Sequence, residues 1–296
     1  MIHKEKISII TPVYNRVKEL IRLYNSLCNQ TNSNFIWIIV DDGSKESINL
    51  LIDRWKKQAK FKITLIVQSN QGKMHAYKHA VQHLSTPWSL VVDSDDTVSK
   101  EMISILYKNI DSVSRKDECG MVFPRQLGVD SDEILLWKKL PSKINIIALR
   151  YQYNIQESAI LIKTDYLKKA FCSLQLPNET FISEEILYNE LMTQGSFTVK
   201  TNLFYFGEYQ DDGLTNHLFK LWLDNPESTI LLFQSRYKAL STLNFKEKMI
   251  GKFKTILNLN AFCLKRKLSI RSVTPNLGLS ILLYFPSVIL KKIRFR

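Results

Sequence analysis

The chain has 296 residues, 45% of them hydrophobic and 23% charged, with a formal net charge of +13. This length and composition support one large core, or a domain with an appendage, and exclude a chain that is disordered throughout. The four cysteines (Cys28, Cys119, Cys172 and Cys263) form no C-x-x-C pair, which predicts a reducing, cytoplasmic setting without a zinc framework.

Short apolar runs alternate with segments of helical periodicity through the first 110 residues. MIHKEKISIITPVY leads straight into a strand, so no signal peptide is expected. The predicted strands are 7–10, 35–40, 62–67 and 88–92, and apolar helical stripes begin at 17, 48, 74 and 102, with Asn15, Ser44 and Ser99 as candidate N-caps. This alternation predicts an α/β fold: a doubly wound, mostly parallel sheet with helices on both faces.

The middle of the chain is less regular. Residues 119–123, 158–162 and 197–209 read as strands, and FISEEILYNEL (181–191) reads as a helix with Ser183 as its N-cap. A composition shift near residue 217 is the candidate boundary, and the sequence beyond it predicts helices.

Polar clusters follow the predicted strands: Thr11 to Asn15, Asp41 to Ser44, Asn70 to Lys73, and Asp93 to Asp96. The carboxyl ends of parallel strands share one edge of the sheet, which is where such sheets bind ligands. The four loops together therefore predict a ligand site at this edge.

Three carboxylates lie within four residues of VVDSDD (91–96): Asp93, Asp95 and Asp96. Carboxylates this close repel and raise each other's pKa unless a cation neutralises them. Acids one residue apart can bind Mg²⁺ or Mn²⁺, which share oxygen ligands with substrate phosphates. Acids after a strand are also turn residues and caps, so the D-x-D-D pattern alone leaves both interpretations open.

Two further loops have a functional and a structural interpretation. Asp41 and Asp42, beside Gly43, can accept hydrogen bonds from a ribose or a base, or they form a turn before a helix. NQGK (70–73) offers backbone N–H groups and the Lys73 cation to a phosphate, or it is a loop with a solvated lysine. Their occurrence together at one sheet edge favours the functional interpretation.

These segments, in this order, resemble a known family. ISIITPVYNR, SLCNQTNSNFIWIIVDDGS, NQGK followed by a helix, and LVVDSDD are similar to the ordered motifs of family 2 glycosyltransferases with the GT-A fold. The resemblance is strong from residue 7 to about 110 and continues through FISEE and YQDDGLT to about 216. It implies a catalytic domain over 1–216, with nucleotide-sugar binding in 1–110 and the acceptor side in 111–216, followed by a helical, basic region over 217–296.

The resemblance also implies residue roles. The residues implied to bind the nucleotide-sugar are Thr11, Pro12, Tyr14, Asn15, Asp41, Asp42, Gly43, Lys73, Asp93 and Ser94. The implied cofactor is Mn²⁺ or Mg²⁺, with Asp95 as the first candidate ligand, Asp93 and Asp96 beside it, and His217 as a further candidate.

The implied reaction is a single displacement at the anomeric carbon, with inversion. A carboxylate takes the proton of the acceptor hydroxyl, and the metal stabilises charge on the leaving diphosphate. Glu185 is the first candidate base and Glu184 the second, although acids in a first helical turn are favoured by the helix dipole anyway. The family often has Glu-Asp where this chain has Glu-Glu, so both candidates stay open. YQDDGLT (209–215) resembles a loop that closes near the donor phosphates and acceptor, or is a hairpin turn.

The predicted function is transfer of a sugar from a nucleotide-sugar, with a UDP-sugar favoured, to a hydroxyl of a saccharide or lipid-linked saccharide in cell-surface glycan synthesis. A catalytically inactive nucleotide-sugar binder and a nucleotidyltransferase of related fold remain alternatives, although TPVYNR is not the glycine-rich basic loop of the latter. Nucleic-acid binding is not expected, because the sheet edge is acidic and the basic charge is concentrated in the C-terminal tail.

The basic tail has two interpretations. Residues 246–296 contain twelve Lys and Arg against the single acid Glu247, so +11 of the net charge lies there. PNLGLSILLYFPSVIL (275–290) is apolar but shorter than the roughly 20 residues of a membrane span. It either lies in a membrane interface, with the cations meeting anionic lipid, or packs as a core helix. The first interpretation predicts an enzyme held peripherally at the cytoplasmic face of the inner membrane.

Overall fold

The computed structural model describes residues 5–110, 117–127, 132–207 and 217–295. Within these ranges the strands are β1 (Ile7–Val13), β2 (Ile36–Asp41), β3 (Lys62–Val67), β4 (Trp88–Val91), β5 (Thr97–Val98), β6 (Glu118–Leu127), β7 (Lys143–Ile144), β8 (Ser158–Lys163), β9 (Ser196–Val199) and β10 (Tyr205–Gly207). The helices up to residue 191 are α1 (Val17–Cys28), α2 (Asn49–Gln58), α3 (Lys73–Gln82), α4 (Met102–Ile110), α5 (Asp132–Trp137), α6 (Ile146–Tyr153), α7 (Thr164–Ser173) and α8 (Glu185–Leu191). The C-terminal helices are α9 (Leu218–Asp224), α10 (Pro226–Ala239), α11 (Phe245–Arg266), α12 (Ile270–Val273), α13 (Leu277–Leu282) and α14 (Tyr284–Arg294).

The strands form one mixed sheet in the order β3-β2-β1-β4-β8-β6-β10-β5, with β9 pairing with β6 and β7. The first four strands are mutually parallel, which confirms the predicted helix-alternating half. β8 lies antiparallel between β4 and β6, so the second half is not doubly wound. The α/β prediction is therefore confirmed, with an antiparallel strand in the middle of the sheet.

The buried strands alternate between two cores, one on each face of the sheet. In β1, Ile7 and Ile9 belong to one core and Ile10 to the other, as the two-residue period of a strand requires. The first core is filled by residues such as Leu20, Ile52 and Met102, from α1, α2 and α4. The second contains Met74 of α3 and Leu167 of α7. Both faces are covered, which explains the unbroken apolar runs of the strands.

The C-terminal helices share the second core. Phe233 of α10 and Phe262 of α11 lie in the same cluster as Met74 of α3. α10 packs against α8 and α11, and α14 packs along α11. The predicted boundary at 216/217 adjoins residues 208–216, which lie outside the described part of the chain, as does the YQDDGLT segment.

The apolar segment 275–290 combines features of both sequence interpretations. Ser280 and Ser287 are buried against α11, where the Nδ2 of Asn260 donates to the Ser280 carbonyl at 2.8 Å. Ile281, Phe285 and Ile289 on the same two helices are 68%, 79% and 63% exposed. None of the described helices combines the length and apolar character needed to cross a membrane.

The first two helix starts differ from the predicted caps. Asn15 has φ 53° and Arg16 takes the cap position of α1, while α2 begins only at Asn49. The side chains of Asn15 and Ser44 instead join the two loops: Ser44 Oγ accepts the N–H of Asn15 at 3.0 Å, and Asn15 Oδ1 accepts the N–H of Lys45 at 2.8 Å. Both predicted caps were wrong because these polar atoms bond between loops rather than to a helix end.

Candidate active site

The acid cluster after β4 is held by Tyr205 of β10. The Tyr205 hydroxyl accepts the N–H of Asp93 at 2.9 Å and donates to Asp96 Oδ2 at 2.8 Å. Tyr205 is only 3% exposed, and burial raises its pKa well above the ordinary value, so it stays a neutral donor. Ser94, in the turn between these acids, is also buried.

Arg125 of β6 neutralises two acids of the cluster. Its Nη2 lies 2.7 Å from Asp96 Oδ2 and 3.8 Å from Asp93 Oδ2, and its Nη1 lies 2.7 Å from Glu157 Oε2. Burial raises the pKa of Asp96 to about 6, against the opposing effect of Arg125. The other oxygen of this carboxylate, Asp96 Oδ1, is buried without a hydrogen-bond partner.

Lys73, the first residue of α3, connects the acid cluster to the segment before α8. Its Nζ lies 2.5 Å from Asp93 Oδ1 and 2.9 Å from Glu184 Oε1. Burial disfavours the charged forms of Lys73 and Asp93. Nevertheless, the negative charges of Asp93 and Glu184 raise the pKa of Lys73, and the positive charges of Lys73 and Arg125 lower the pKa of Asp93. A series of alternating charges therefore runs from Glu184 through Lys73, Asp93 and Arg125 to Glu157.

Glu185 has different partners from Glu184. Its carboxylate accepts from Arg236 Nε at 2.5 Å and Nη2 at 2.6 Å, with Arg150 Nη1 at 3.3 Å. Burial alone would raise the pKa of Glu185, but Arg236 and Arg150 lower it. Glu184, the second candidate base, is thus the one whose carboxylate reaches the acid cluster through Lys73.

The two acids after β2 also have separate tasks. Asp42 Oδ1 accepts from the Gln71 N–H at 2.9 Å and Gln68 Nε2 at 2.8 Å, and its Oδ2 accepts from the Gly72 N–H at 2.8 Å. This carboxylate therefore fixes the loop that precedes α3. Asp41 Oδ1 accepts the Ser44 N–H at 2.9 Å across the turn that contains Gly43, whose φ is 78°.

The TPVYN segment contributes differently from residue to residue. The Thr11 hydroxyl is fully buried and accepts the indole N–H of Trp37 at 3.0 Å, and Pro12 is buried with it. Tyr14 is 43% exposed beside the loop formed by Asn15 and Ser44. Within this segment, Tyr14 and Asn15 are the exposed residues.

Asp95, the third acid of the cluster, pairs with Arg16 before α1. Its Oδ2 lies 3.6 Å from Arg16 Nη1, whereas Asp93 lies 2.5 Å from Lys73 and Asp96 lies 2.7 Å from Arg125, and carboxylate oxygens suit a hard cation. In the described residues, no three His, Cys, Asp or Glu side chains converge as a ready metal site. His217, exposed just before α9, is accordingly not brought into a ligand group with the acids.

Sequence reasoning missed Arg125, Glu157, Tyr205 and Arg236. Arg125 pairs with an acid 29 residues earlier, and Tyr205 bonds to one 109 residues away. These residues lie in segments for which the sequence predicted secondary structure at most and no part in the site. The one available signal was the repulsion within the acid cluster, which requires nearby cations but does not say which ones.

Comparison with known proteins identifies the family. Residues 8–168 match the profile described as Glycosyl transferase family 2. GlyG of Streptococcus pneumoniae serotype 4 is 31% identical over 107 residues, which are 36% of this chain and 35% of that protein. The poly(ribitol-phosphate) beta-N-acetylglucosaminyltransferase TarS of Staphylococcus aureus is 23% identical over 187 residues, 62% of this chain and 31% of TarS. The matches thus span about a third of the length of these relatives.

Solved structures share the fold over nearly the whole chain. TarS 1–349 of S. aureus in complex with UDP-GlcNAc has a TM-score of 0.61 at 15% identity, covering 98% of this chain and 91% of that one. The mannosyltransferase PcManGT of Pyrobaculum calidifontis in complex with GDP-Man and Mn²⁺ has a TM-score of 0.59 at 12% identity, covering 99% and 85%. With a family profile matched over more than half of its length, the chain belongs to glycosyltransferase family 2 and has the GT-A fold.

Proposed function

We propose that the chain transfers a sugar from a nucleotide-sugar to an acceptor hydroxyl, with inversion at the anomeric carbon. The observation that carries this proposal is the charge series Glu184–Lys73–Asp93–Arg125 at the carboxyl edge of the sheet. It brings a proton acceptor and cations for a diphosphate within one site. A UDP-sugar is our choice of donor, because TarS appears among both the sequence relatives and the solved structures, there with UDP-GlcNAc.

The nucleotide is proposed to bind between the loops after β1 and β2. Tyr14 offers an exposed ring for stacking on a base, and Asp41 is an acceptor for ribose or base N–H and O–H groups. Asp42 is assigned to holding the loop before α3, because three donors already occupy its carboxylate. Lys73 lies where α3 begins, so its ammonium and the first turn of the helix favour an anionic diphosphate.

Glu184 is our first candidate for the general base. The acceptor O–H proton would pass to its carboxylate, the acceptor oxygen would form a bond to the anomeric carbon, and the bond from that carbon to the diphosphate oxygen would break. The nucleoside diphosphate then leaves with the electron pair of the broken bond. Glu185 is the second candidate, because Arg236 holds both of its oxygens and lowers its pKa.

Asp95 is proposed to hold a divalent cation, with Asp93 or the unpartnered Asp96 Oδ1 as a further ligand. When bound, Mn²⁺ or Mg²⁺ supplies positive charge that stabilises the leaving diphosphate. The protein's own cations, Lys73 and Arg125, neutralise Asp93 and Asp96 and so keep the acids together.

The test measures donor binding and turnover separately. Calorimetry with UDP, UDP-GlcNAc, UDP-glucose and GDP-mannose, each with and without Mn²⁺, identifies the donor. The UDP or GDP that is released when the sugar passes to water or to a saccharide acceptor reports turnover. Glu184→Gln is expected to keep donor affinity and to lose at least about a hundredfold in turnover. Glu190→Gln, on the last turn of α8 and bonded to Ser173, is the matched control and should retain turnover.

The results separate the alternatives. Binding without turnover in the wild-type chain would identify an inactive nucleotide-sugar binder. Lack of binding to every donor would refute the proposal. Unchanged turnover in Glu184→Gln together with lost turnover in Glu185→Gln would move the base to Glu185.

We further propose that the C-terminal helices dock on an anionic membrane surface. Large side chains on α11, α13 and α14 face outward, and Lys248, Lys252, Met249 and Phe253 line a 370 Å³ cleft with Leu282. Apolar side chains would enter the interface while the lysines meet lipid phosphates. The concentration of +11 in residues 246–296 favours anionic lipid over a neutral surface or a second copy of the chain.

Vesicle sedimentation tests this docking. Binding to phosphatidylcholine vesicles containing a quarter phosphatidylglycerol should exceed binding to pure phosphatidylcholine and should weaken with salt. Phe285→Gln with Ile289→Gln should weaken it at least about tenfold, because both apolar side chains leave the interface. Leu50→Gln, an 84% exposed site on α2, is the control. Equal binding to neutral vesicles, or dimerisation lost in the double variant, would refute membrane docking.

A further inference from the structure

Two consecutive acids belong to two different ion pairs. Glu184 pairs with Lys73 of α3, and Glu185 pairs with Arg236 of α10. One peptide bond therefore connects the sheet-edge charge series to the helical C-terminal region. The backbone of Glu184 is thus one residue away from the position at which Arg236 holds Glu185.

The Arg236 contact is built for orientation. Both oxygens of Glu185 are held, by Nε at 2.5 Å and Nη2 at 2.6 Å, and the guanidinium lies 5.5 Å from the centre of the Phe233 ring. Arg236 is 9% exposed. A bidentate arginine–carboxylate pair fixes both distance and plane, which a single lysine contact does not.

The surrounding contacts keep α8 and α10 in register. Asn189 Nδ2 donates to Ser235 Oγ at 3.1 Å one residue before Arg236, and Arg150 of α6 contacts Glu185 Oε2 from another side. Desolvating a buried ion pair is costly, so such a pair adds little net stability compared with an apolar pair of similar volume. Its geometry is therefore the feature that an apolar pair could not replace.

We propose that Arg236 is a positioning residue for the catalytic carboxylate: by clamping Glu185, it sets the backbone of Glu184 and so the approach of the Glu184 carboxylate to the acceptor. This inference rests on the proposed function. It gives the helical region beyond residue 217 an indirect part in the chemistry, through the position of Glu184, although the family profile ends at residue 168.

The test compares Arg236→Met and Arg236→Lys with the control Glu179→Gln. Glu179 also binds α10, where its carboxylate accepts the N–H groups of Glu227 at 3.0 Å and Ser228 at 2.8 Å, but it is not adjacent to a candidate base. The readouts are the rate of UDP release from UDP-GlcNAc at saturation, the affinity for UDP by calorimetry, and the thermal midpoint.

Arg236→Met is expected to lower the saturated rate by about a hundredfold, since a misplaced catalytic group costs that much. Affinity for UDP should stay within about twofold, because the nucleotide contacts are elsewhere. Arg236→Lys should recover part of the rate. If Arg236→Met does not fold, Glu185→Gln, which preserves the shape of the acid, replaces it and should lower the rate less than Glu184→Gln.

Equal rates in Arg236→Met and Glu179→Gln would show a purely structural contact and overturn the inference. Loss of all turnover in Glu185→Gln, with Glu184→Gln active, would overturn it too, because Glu185 would then be the base. Lack of UDP release by the wild-type chain with any donor would overturn the proposed function itself, and this inference with it.

Discussion

Replacing Gly72 by alanine should strongly destabilise the fold. Gly72 has φ 91° and ψ 160°, and a Cβ there would lie 1.8 Å from the carbonyl oxygen of Thr180 and 2.6 Å from its carbonyl carbon. The backbone conformation alone costs alanine about 1–3 kcal/mol. Displacing the loop would also loosen the hydrogen bond from the Gly72 N–H to Asp42, worth about 1–3 kcal/mol when the carboxylate loses a donor. Together these terms give an expected loss of about 2–6 kcal/mol.

Equilibrium urea unfolding measures this loss as a fall in the free energy of unfolding. Gly278→Ala is the control, since the nearest heavy atom to its Cβ would be 3.7 Å away and alanine is favoured in a helix by up to about 1 kcal/mol. A Gly72→Ala chain within about 0.5 kcal/mol of the wild type would refute the steric reasoning.

Three further outcomes are expected. Tyr205→Phe should cost about 1–3 kcal/mol in urea unfolding, because it leaves the Asp93 N–H and the Asp96 carboxylate without their shared partner; no loss would mean that water replaces the hydroxyl. Arg236 lowers the pKa of Glu185 despite burial, so the stability that this carboxylate contributes is present above pH 4.5 and is lost as the pH falls further. Glu185→Gln should therefore reduce the fall in the free energy of unfolding at acid pH. An unchanged pH dependence would contradict the assignment of a lowered pKa to Glu185. Iodoacetamide should label Cys28 and Cys172 rapidly and spare Cys119 and Cys263, since burial raises the pKa of both latter thiols to about 12; equal labelling, read by mass spectrometry, would show that the core opens readily.

The elements of the sheet could be predicted because their signals are local. The runs at 7–10, 35–40 and 88–92 are largely buried, and the edge run at 62–67 is partly buried, so their short apolar stretches could be recognised without knowledge of the neighbouring strands. The loops at their carboxyl ends could be placed for the same reason. The antiparallel entry of β8 between β4 and β6 has no local signal, because strand direction depends on the path of the intervening chain.

Within the site, the acids were predictable and their partners were not. Asp93, Asp95 and Asp96 stand together in the sequence, whereas Arg125 and Tyr205 reach them only through folding. Which of Glu184 and Glu185 points to the site depends on the local backbone, since successive residues of a helix face directions about 100° apart. Sequence periodicity predicts that a helix begins near these residues, but it does not predict which acid pairs with Lys73 and which pairs with Arg236.

The helices α13 and α14 have one face packed on α11 and another face exposed to solvent. Their small side chains, Ser280 and Ser287, make the close contacts with α11, while Ile281, Phe285 and Ile289 remain largely outside. The outward positions are thus free to vary between apolar and polar without disturbing the packing beneath. Substitution at these outward positions can therefore change the surface that α13 and α14 present to solvent, while the inner face of the same helices continues to pack on α11.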